Sequence, residues 1–348
     1  MKKNLFSDKG KFFKANLHMH TTISDGGLTP QEVKQKYMEH GYSIVAFTDH
    51  EIMVPHNELS DENFLAITAT ELSSNMPCPE RNFVFTKCYH VNLYSKDRNR
   101  SDFPGFKREY IWLKNTLDYV TDDMKENPEV RVYNQDAVNT ILAHAKEQGF
   151  LACLNHPIWS LQDYTDIHKL KNLWGVEVFN YGCYISGNED TTFAFDNLLR
   201  LGQLVVPIAS DDSHSPVDRD CFGGWSMIKA KSLDYDEVFS ALEKGDMYAS
   251  NGPEFYDIYI EDGILTVHCS PVRQIVVNTE RRKAFCKNKF DNEGELITKM
   301  QFDLNAYIDL CKEKKDVITK TPYIRIRVED DMGRHAWTRP YTLNEIVD

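Results

Sequence analysis

The stretch Phe12-Phe13-Lys14-Ala15-Asn16-Leu17-His18-Met19-His20 is a short apolar run that ends in a His-x-His pair. Side chains alternate along a strand, so the two imidazoles point to one side, where both could hold a single metal ion. One such pair is a weak signal on its own. The same kind of ending recurs downstream, after apolar, β-branched runs read at 44–48, 64–70, 88–93, 151–154, 176–179 and 204–209. Asp25 lies in the turn Ser24-Asp25-Gly26-Gly27, Asp49-His50 closes the second run and Glu71 the third. His90 sits in the fourth, Asn155-His156-Pro157 closes the fifth, and Ser210-Asp211-Asp212-Ser213-His214 closes the seventh.

Helical stretches are predicted between these runs. Thr29-Pro30 opens one that stops near Gly41, and 134–148 reads as another, ended by Gly149. Others are read at 107–122, 191–201 and 234–244. Strand and helix in alternation predict parallel strands joined by crossover helices, and seven strands suggest a barrel. An open doubly wound sheet would alternate in the same way. The chelating residue types at successive strand ends favour the barrel, because a parallel α/β barrel builds its active site there. After Ser250-Asn251-Gly252-Pro253 the pattern changes to short alternating strands at 255–260, 264–268, 275–278 and 323–328. Two units are therefore expected, a barrel over 1–250 and a small β-rich domain over 251–348.

The chain has 348 residues, 41% of them hydrophobic and 27% charged, which is ordinary globular usage. No apolar run approaches the ~18 residues of a membrane span, and no signal or transit peptide is readable, so the expected location is the cytoplasm. Eight cysteines without a CxxC pair fit reduced thiols rather than disulfides or a zinc knuckle. A formal net charge of -13 opposes long-range attraction to a polyanion and disfavours tight binding of duplex nucleic acid.

The ordered set Asn16-Leu17-His18-Met19-His20, Ser24-Asp25-Gly26, Thr48-Asp49-His50, Glu71, His90, Asn155-His156-Pro157 and Asp212-Ser213-His214 resembles the PHP (polymerase and histidinol phosphatase) superfamily over residues 12 to about 250. The tail, with Ser250-Asn251-Gly252-Pro253 and Ala336-Trp337-Thr338, further resembles its free-standing branch with a C-terminal β domain. The resemblance implies a distorted (β/α)7 barrel, TIM-barrel-like, with up to three divalent metal ions. His18, His20 and a seventh-strand Asp would hold the first. Glu71 would bridge to a second, completed by His90 and His156, and Asp25, His50 and His214 would hold the third. Both Asp211 and Asp212 stand where the family usually needs one carboxylate. Asp212, two residues before the histidine, is preferred, with Asp211 and Asp49 as further ligands or as residues that orient ligands.

Imidazole and carboxylate together suit Mn, Zn or Fe. A metal-bridging hydroxide that attacks phosphorus in line predicts a phosphoesterase acting on a small phosphomonoester, a nucleotide or a short oligonucleotide, with no side-chain nucleophile. Arg219 and Arg81 are candidates for binding a second charged group. The rival reading is hydrolysis of a carbon ester, carbamate or amide on the same metals, favoured if the mouth proves apolar. A non-catalytic scaffold ranks third. The span 97–106 is a candidate lid. Oligomeric state is not legible.

Overall fold

The computed structural model describes residues 2–77, 86–189, 192–313 and 321–347. A two-residue strand, β1 (Lys3–Asn4), precedes the seven strands that carry the site: β2 (Lys11–Asn16), β3 (Ile44–Phe47), β4 (Leu65–Asn75), β5 (Cys88–Ser95), β6 (Phe150–Leu154), β7 (Gly175–Asn180) and β8 (Val206–Ser210). All seven runs read from the sequence are strands, with bounds shifted by at most five residues. They lie side by side in the order β2-β3-β4-β5-β6-β7-β8 within one large mixed sheet.

Two features depart from the expected parallel barrel. β5 runs antiparallel to both β4 and β6, while β2-β3-β4 and β6-β7-β8 are parallel. Parallel neighbours need a crossover, and no helical stretch is readable between Glu71 and Cys88, so the reversal has a cause visible in the sequence. The ring is also not a closed ladder. β2 pairs along its free edge with β9 (Trp225–Ala230), and β8 meets β2 at the rim, through the parallel bridge Met19–Ser213, the N–H of Asp211 donating to Asn16 Oδ1 at 3.0 Å and that of Asp212 donating to the His18 carbonyl at 2.9 Å.

Helices cover the outside. α1 (Pro30–Glu39) starts with a full capping box between Thr29 and Glu32 and buries Val33 and Tyr37 against β3. α2 (Gln135–Glu147), the short α3 (Tyr164–Ile167) and α4 (Tyr181–Ile185), α5 (Phe193–Arg200) and α6 (Tyr235–Lys244) follow, and α6 ends on Gly245 in the left-handed conformation. The helix expected at 107–122 is instead two 3-10 turns, Arg108–Tyr110 and Asn115–Tyr119. There the Asn115 and Thr116 side chains bond to backbone carbonyls of Thr22, Ile23 and Ser24, tertiary partners that override local helical preference.

β10 (Met247–Ser250) leads into an antiparallel region comprising β11 (Phe255–Glu261), β12 (Ile264–Val272), β13 (Gln274–Thr279), β14 (Ala284–Asn288), β15 (Ile297–Asp303), β16 (Tyr323–Glu329), β17 (His335–Thr338) and β18 (Tyr341–Thr342), with α7 (Asn305–Glu313) and α8 (Leu343–Ile346). One four-stranded sheet, β1-β11-β12-β15, faces strands β13 and β16 of the large sheet across an apolar layer that includes Ile258, Val267, Val277, Phe302 and Ile326. β17 pairs with β10, and β1 pairs with β11, so strands on either side of residue 250 share both sheets. Among the described residues seven cysteines are free, and no helix is long and apolar enough to cross a membrane.

Candidate metal centre

Strand ends and adjoining loops bring nine chelating side chains together. Each of the sets His20-Asp25-His50-His214, His18-His156-Asp212, His18-His20-Glu71 and His50-Glu71-His90 offers one ligand atom per residue, all within 4.8 Å of one another. The nine ligands expected from the sequence each stand in one of them, whereas Asp211 and Asp49, offered as further ligands, stand in none. The sets overlap: His20 stands both with His18 and Glu71 and with Asp25, His50 and His214, while His156 groups with His18 and Asp212 and has its Nε2 3.3 Å from Glu71. His40, His56, His144, His168, His268 and His335 stand in none of the sets.

Glu71 is the hub. Its Oε1 is 3.4 Å from His18 Nε2, 3.0 Å from His90 Nδ1 and 3.3 Å from His156 Nε2, and it accepts a hydrogen bond from Asn155 Nδ2 at 2.7 Å. Its Oε2 is 3.3 Å from His20 Nε2 and 3.2 Å from His50 Nδ1. One fully buried carboxylate thus divides its two oxygens between two groups of imidazoles. His90 reaches the hub because β5 runs backwards: its N-terminal end, not its C-terminal end, lies at the mouth.

Asp212 and Asp211 face opposite ways. Asp212 Oδ1 lies 3.2 Å from His18 Nε2 and 3.1 Å from His20 Nε2. Asp211 turns into a backbone cradle, accepting from the N–H groups of Phe222, Gly223 and Gly224 and from the Tyr37 hydroxyl at 2.8 to 3.0 Å. Burial raises the Asp211 carboxyl to about 6 in spite of those donors. Asp49 does not orient His50. Its carboxylate accepts from Thr21 N, Thr21 Oγ1, Ser24 N and Ser24 Oγ, and so shapes the turn that carries Asp25. That turn folds back until a Cβ on Gly26 would stand 2.3 Å from the His20 carbonyl, so glycine is required there.

The outer nitrogens of three imidazoles are anchored. His18 Nδ1 meets Glu177 Oε1 at 2.9 Å, His156 Nδ1 meets Ser160 Oγ at 3.1 Å, and His214 Nδ1 meets the Asp212 carbonyl at 3.0 Å. Each inner Nε2 is left facing the cluster, the arrangement by which metal-ligating histidines are fixed in tautomer and direction. Glu177, which sequence reasoning missed, also accepts from His156 N, Asn180 Nδ2 and Ser210 Oγ. A charged residue inside the fully buried strand β7 was the signal that could have found it. Glu177→Gln is expected to weaken metal retention about 10–100-fold, read as the chelator concentration that strips the protein, with the fold intact by circular dichroism.

His156 and Asp212 take positive φ of 26° and 52°, as does Glu51, at 63°, beside His50. Such backbone costs free energy in residues with a Cβ and is held by the surroundings. Here the N–H of His156 donates to Glu177, that of Asp212 to the His18 carbonyl and that of Glu51 to the Glu71 carbonyl.

The residues fit divalent cations. His20 Nδ1, His50 Nδ1 and Asp212 Oδ1 are buried and make no well-directed hydrogen bond among the described residues, although Glu71 Oε2 comes within 3.2 Å of His50 Nδ1 and His20 Nε2 within 3.1 Å of Asp212 Oδ1. Buried polar atoms are rarely left so. The adjacent imidazoles His20 and His50, stacked with centroids 4.4 Å apart, are pushed in opposite directions: burial takes His50 down to about 3, whereas for His20 burial is outweighed by the adjoining Asp212 and Glu71 carboxylates, which lift it to about 10. A converging set of imidazoles and carboxylates that lacks cysteine suits divalent cations.

The mouth is aromatic. Trp112 packs on His50 at 5.8 Å between ring centroids, and Trp159 on His156 at 4.9 Å and on His90 at 5.4 Å. The span 97–106 buries Phe103 and Phe106 wholly in the core, and it is the later segment bearing Trp112 that touches the cluster, through His50. Arg219 is exposed in the turn after His214, and its guanidinium makes no ion pair or hydrogen bond among the described residues. Arg81 lies outside the described residues.

No protein-family model matches the chain, and no curated protein does. Among solved structures it is similar to a two-domain protein containing a predicted PHP-like metal-dependent phosphoesterase from Bacteroides vulgatus, with 15% identity, 98% of this chain and 97% of that one covered, and a TM-score of 0.46. An amidohydrolase from Chromobacterium violaceum is similar at 14% identity over 67% of this chain and 96% of that one, with a TM-score of 0.42. A lesion-specific endonuclease from Pyrococcus furiosus is similar at 15% identity over 67% of this chain and 56% of that one, with a TM-score of 0.37. PHP-like metal-dependent phosphoesterases thus stand among the proteins whose solved structures this chain is similar to.

Proposed function

We propose that the chain is a PHP-type metal-dependent hydrolase that cleaves the phosphate ester of a small molecule, nucleotide or short oligonucleotide. The observation that carries this reading is Glu71, buried with both oxygens among five imidazoles, a position for a carboxylate that bridges cations. His18, His20, Asp25, His50, Glu71, His90, His156, Asp212 and His214 would hold two to three of them. Bound there, divalent cations lower the pKa of water and offset charge developing on a phosphoryl oxygen. The protein's own part is positional. Glu177, Ser160 and the Asp212 carbonyl aim three imidazoles inward, and Asp49 holds the Asp25 turn. Residues 1–250 would form the catalytic unit and 251–348 the β-rich appendage of a cytoplasmic enzyme that does not bind duplex nucleic acid tightly. Arg219 remains the candidate cation for a second charged group.

The apolar rim supports a second reading, hydrolysis of a carbon ester, carbamate or amide. Trp112 and Trp159 pack on His50, His90 and His156 at the mouth, and an apolar rim suits an uncharged ester or amide. Elemental analysis of freshly purified protein, with turnover of phosphomonoesters, nucleotides and aryl esters before and after chelation, separates the two. Bound metal with chelator-sensitive phosphate release is expected. Metal with ester cleavage but no phosphate release would transfer the assignment to carbonyl chemistry, and failure to bind metal after reconstitution with Mn or Zn would overturn both.

A further inference from the structure

We infer that Trp112 and Trp159 form a base-stacking rim, so that the phosphate ester admitted to the site carries an unpaired nucleobase. This deepens the phosphoesterase reading and rests on it. The chain has five tryptophans. Trp337 is buried in the core, and Trp174 donates its indole N–H to the Leu242 carbonyl and packs edge-on against Tyr94. Trp225 lies half-buried over the α1 cluster, with Lys14 over its ring. Only Trp112 and Trp159 are strongly exposed, at 58% and 44%, and both rest against imidazoles of the cluster.

Neither of the two belongs to any of the core clusters, so the fold does not account for them. Their placement is nonetheless built. Trp112 sits on the span pinned to the Asp25 turn by Asn115 and Thr116, and Trp159 follows His156 in a tight turn closed by the Ser160 N–H on the His156 carbonyl. Each indole meets imidazoles of the cluster at a tilted or edge-on angle, between 54° and 79°, and keeps about half of its surface exposed. His50 and His90, in edge contact at 5.6 Å, lie between the two indoles.

A phosphate seated at the cluster would therefore bring its ester group past one indole or the other. A flat π-system gains most from such a face, and every nucleobase presents one whatever its hydrogen-bonding edge. In a duplex the base faces are already stacked, and a net charge of -13 discourages duplex approach. An unpaired base, in a mononucleotide or at the end of a strand, meets both conditions.

The test compares adenosine 5′-monophosphate with ribose 5-phosphate on the full-length, metal-loaded protein, in the parent chain, in the double variant Trp112→Ala/Trp159→Ala and in the double variant with Phe at both positions. Quenching of indole fluorescence by adenosine, which has no phosphate to lose, is followed alongside. We expect kcat/KM to favour the nucleotide by roughly tenfold or more, mainly through KM, with that ratio collapsing in the Ala variant and partly restored by Phe. Adenosine quenching should be lost in the Ala variant. A parent ratio near one, or a ratio and quenching that survive in the Ala variant, would overturn the inference. If neither ester is turned over but adenosine quenches the parent and not the variant, the stacking rim stands and the phosphoesterase reading falls.

Discussion

Glu71→Gln is expected to abolish turnover and metal retention while leaving a folded protein. The carboxylate oxygens face His18, His90 and His156 on one side and His20 and His50 on the other, with Asn155 already donating to Oε1. A carboxamide of the same shape keeps one acceptor but places two N–H donors where lone pairs now converge, and removes the charge that would link two cation positions. Loss of an outer partner of a metal ligand costs about 10–100-fold in affinity or activity, so loss of the shared ligand should exceed that range. The metal-free protein should tolerate the change, because replacing a buried charge by a neutral isostere relieves desolvation. Elemental analysis, phosphate release and circular dichroism on one preparation read all three quantities. Full metal content together with undiminished turnover would show that Glu71 does not bridge cations.

Arg131→Met should destabilise the fold more than any change at the rim. The Arg131 guanidinium pairs with Glu51, both side chains being 2% exposed. It also donates to the Gly105 carbonyl at 2.8 Å and lies over the Tyr110 ring at 4.6 Å. Glu51 in turn accepts from Ser73 N and Oγ, two residues beyond Glu71, and directly follows His50. The pair therefore ties the long span that presents Trp112 to the strand end that presents the metal hub. Removing one partner of a buried pair leaves the other charge without compensation, at a cost of about 3–5 kcal/mol. Arg131→Met should lower the thermal midpoint sharply, and Glu51→Leu/Arg131→Met should recover most of the loss. If the single variant unfolds at the parental temperature, the pair is not a structural tie. A double variant as unstable as the single one would mean that geometry at Glu51, not charge, is what matters.

The strand ends were legible because their chemistry and their periodicity coincide. An apolar run ending in His-x-His, Asp-His, Glu or Asn-His-Pro has both a predictable element and a recognisable donor type, and all seven runs and all nine proposed ligands come together in the fold. The direction of β5 could also have been read, since no crossover helix separates it from β4. What stayed hidden depends on side-chain direction. Asp211 and Asp212 are identical in type and adjacent in sequence; which of them enters the cluster follows from a positive φ at Asp212 and from the backbone donors of 222–224 that capture Asp211.

Glu177, Glu51 and Arg131 were missed for a related reason: each acts through partners far away in the chain, and no local pattern marks such pairs. The predicted helix at 107–122 failed because Asn115 and Thr116 find better partners in the Asp25 turn than in their own backbone. By itself the sequence determined the seven strands that carry the site and the donor set at their ends, both of which are local properties of residue type and spacing. Only the tertiary structure decided which carboxylate turns inward, how Glu71 divides its oxygens among the imidazoles and which two indoles line the mouth, because each of these depends on contacts between segments that meet only when the chain folds.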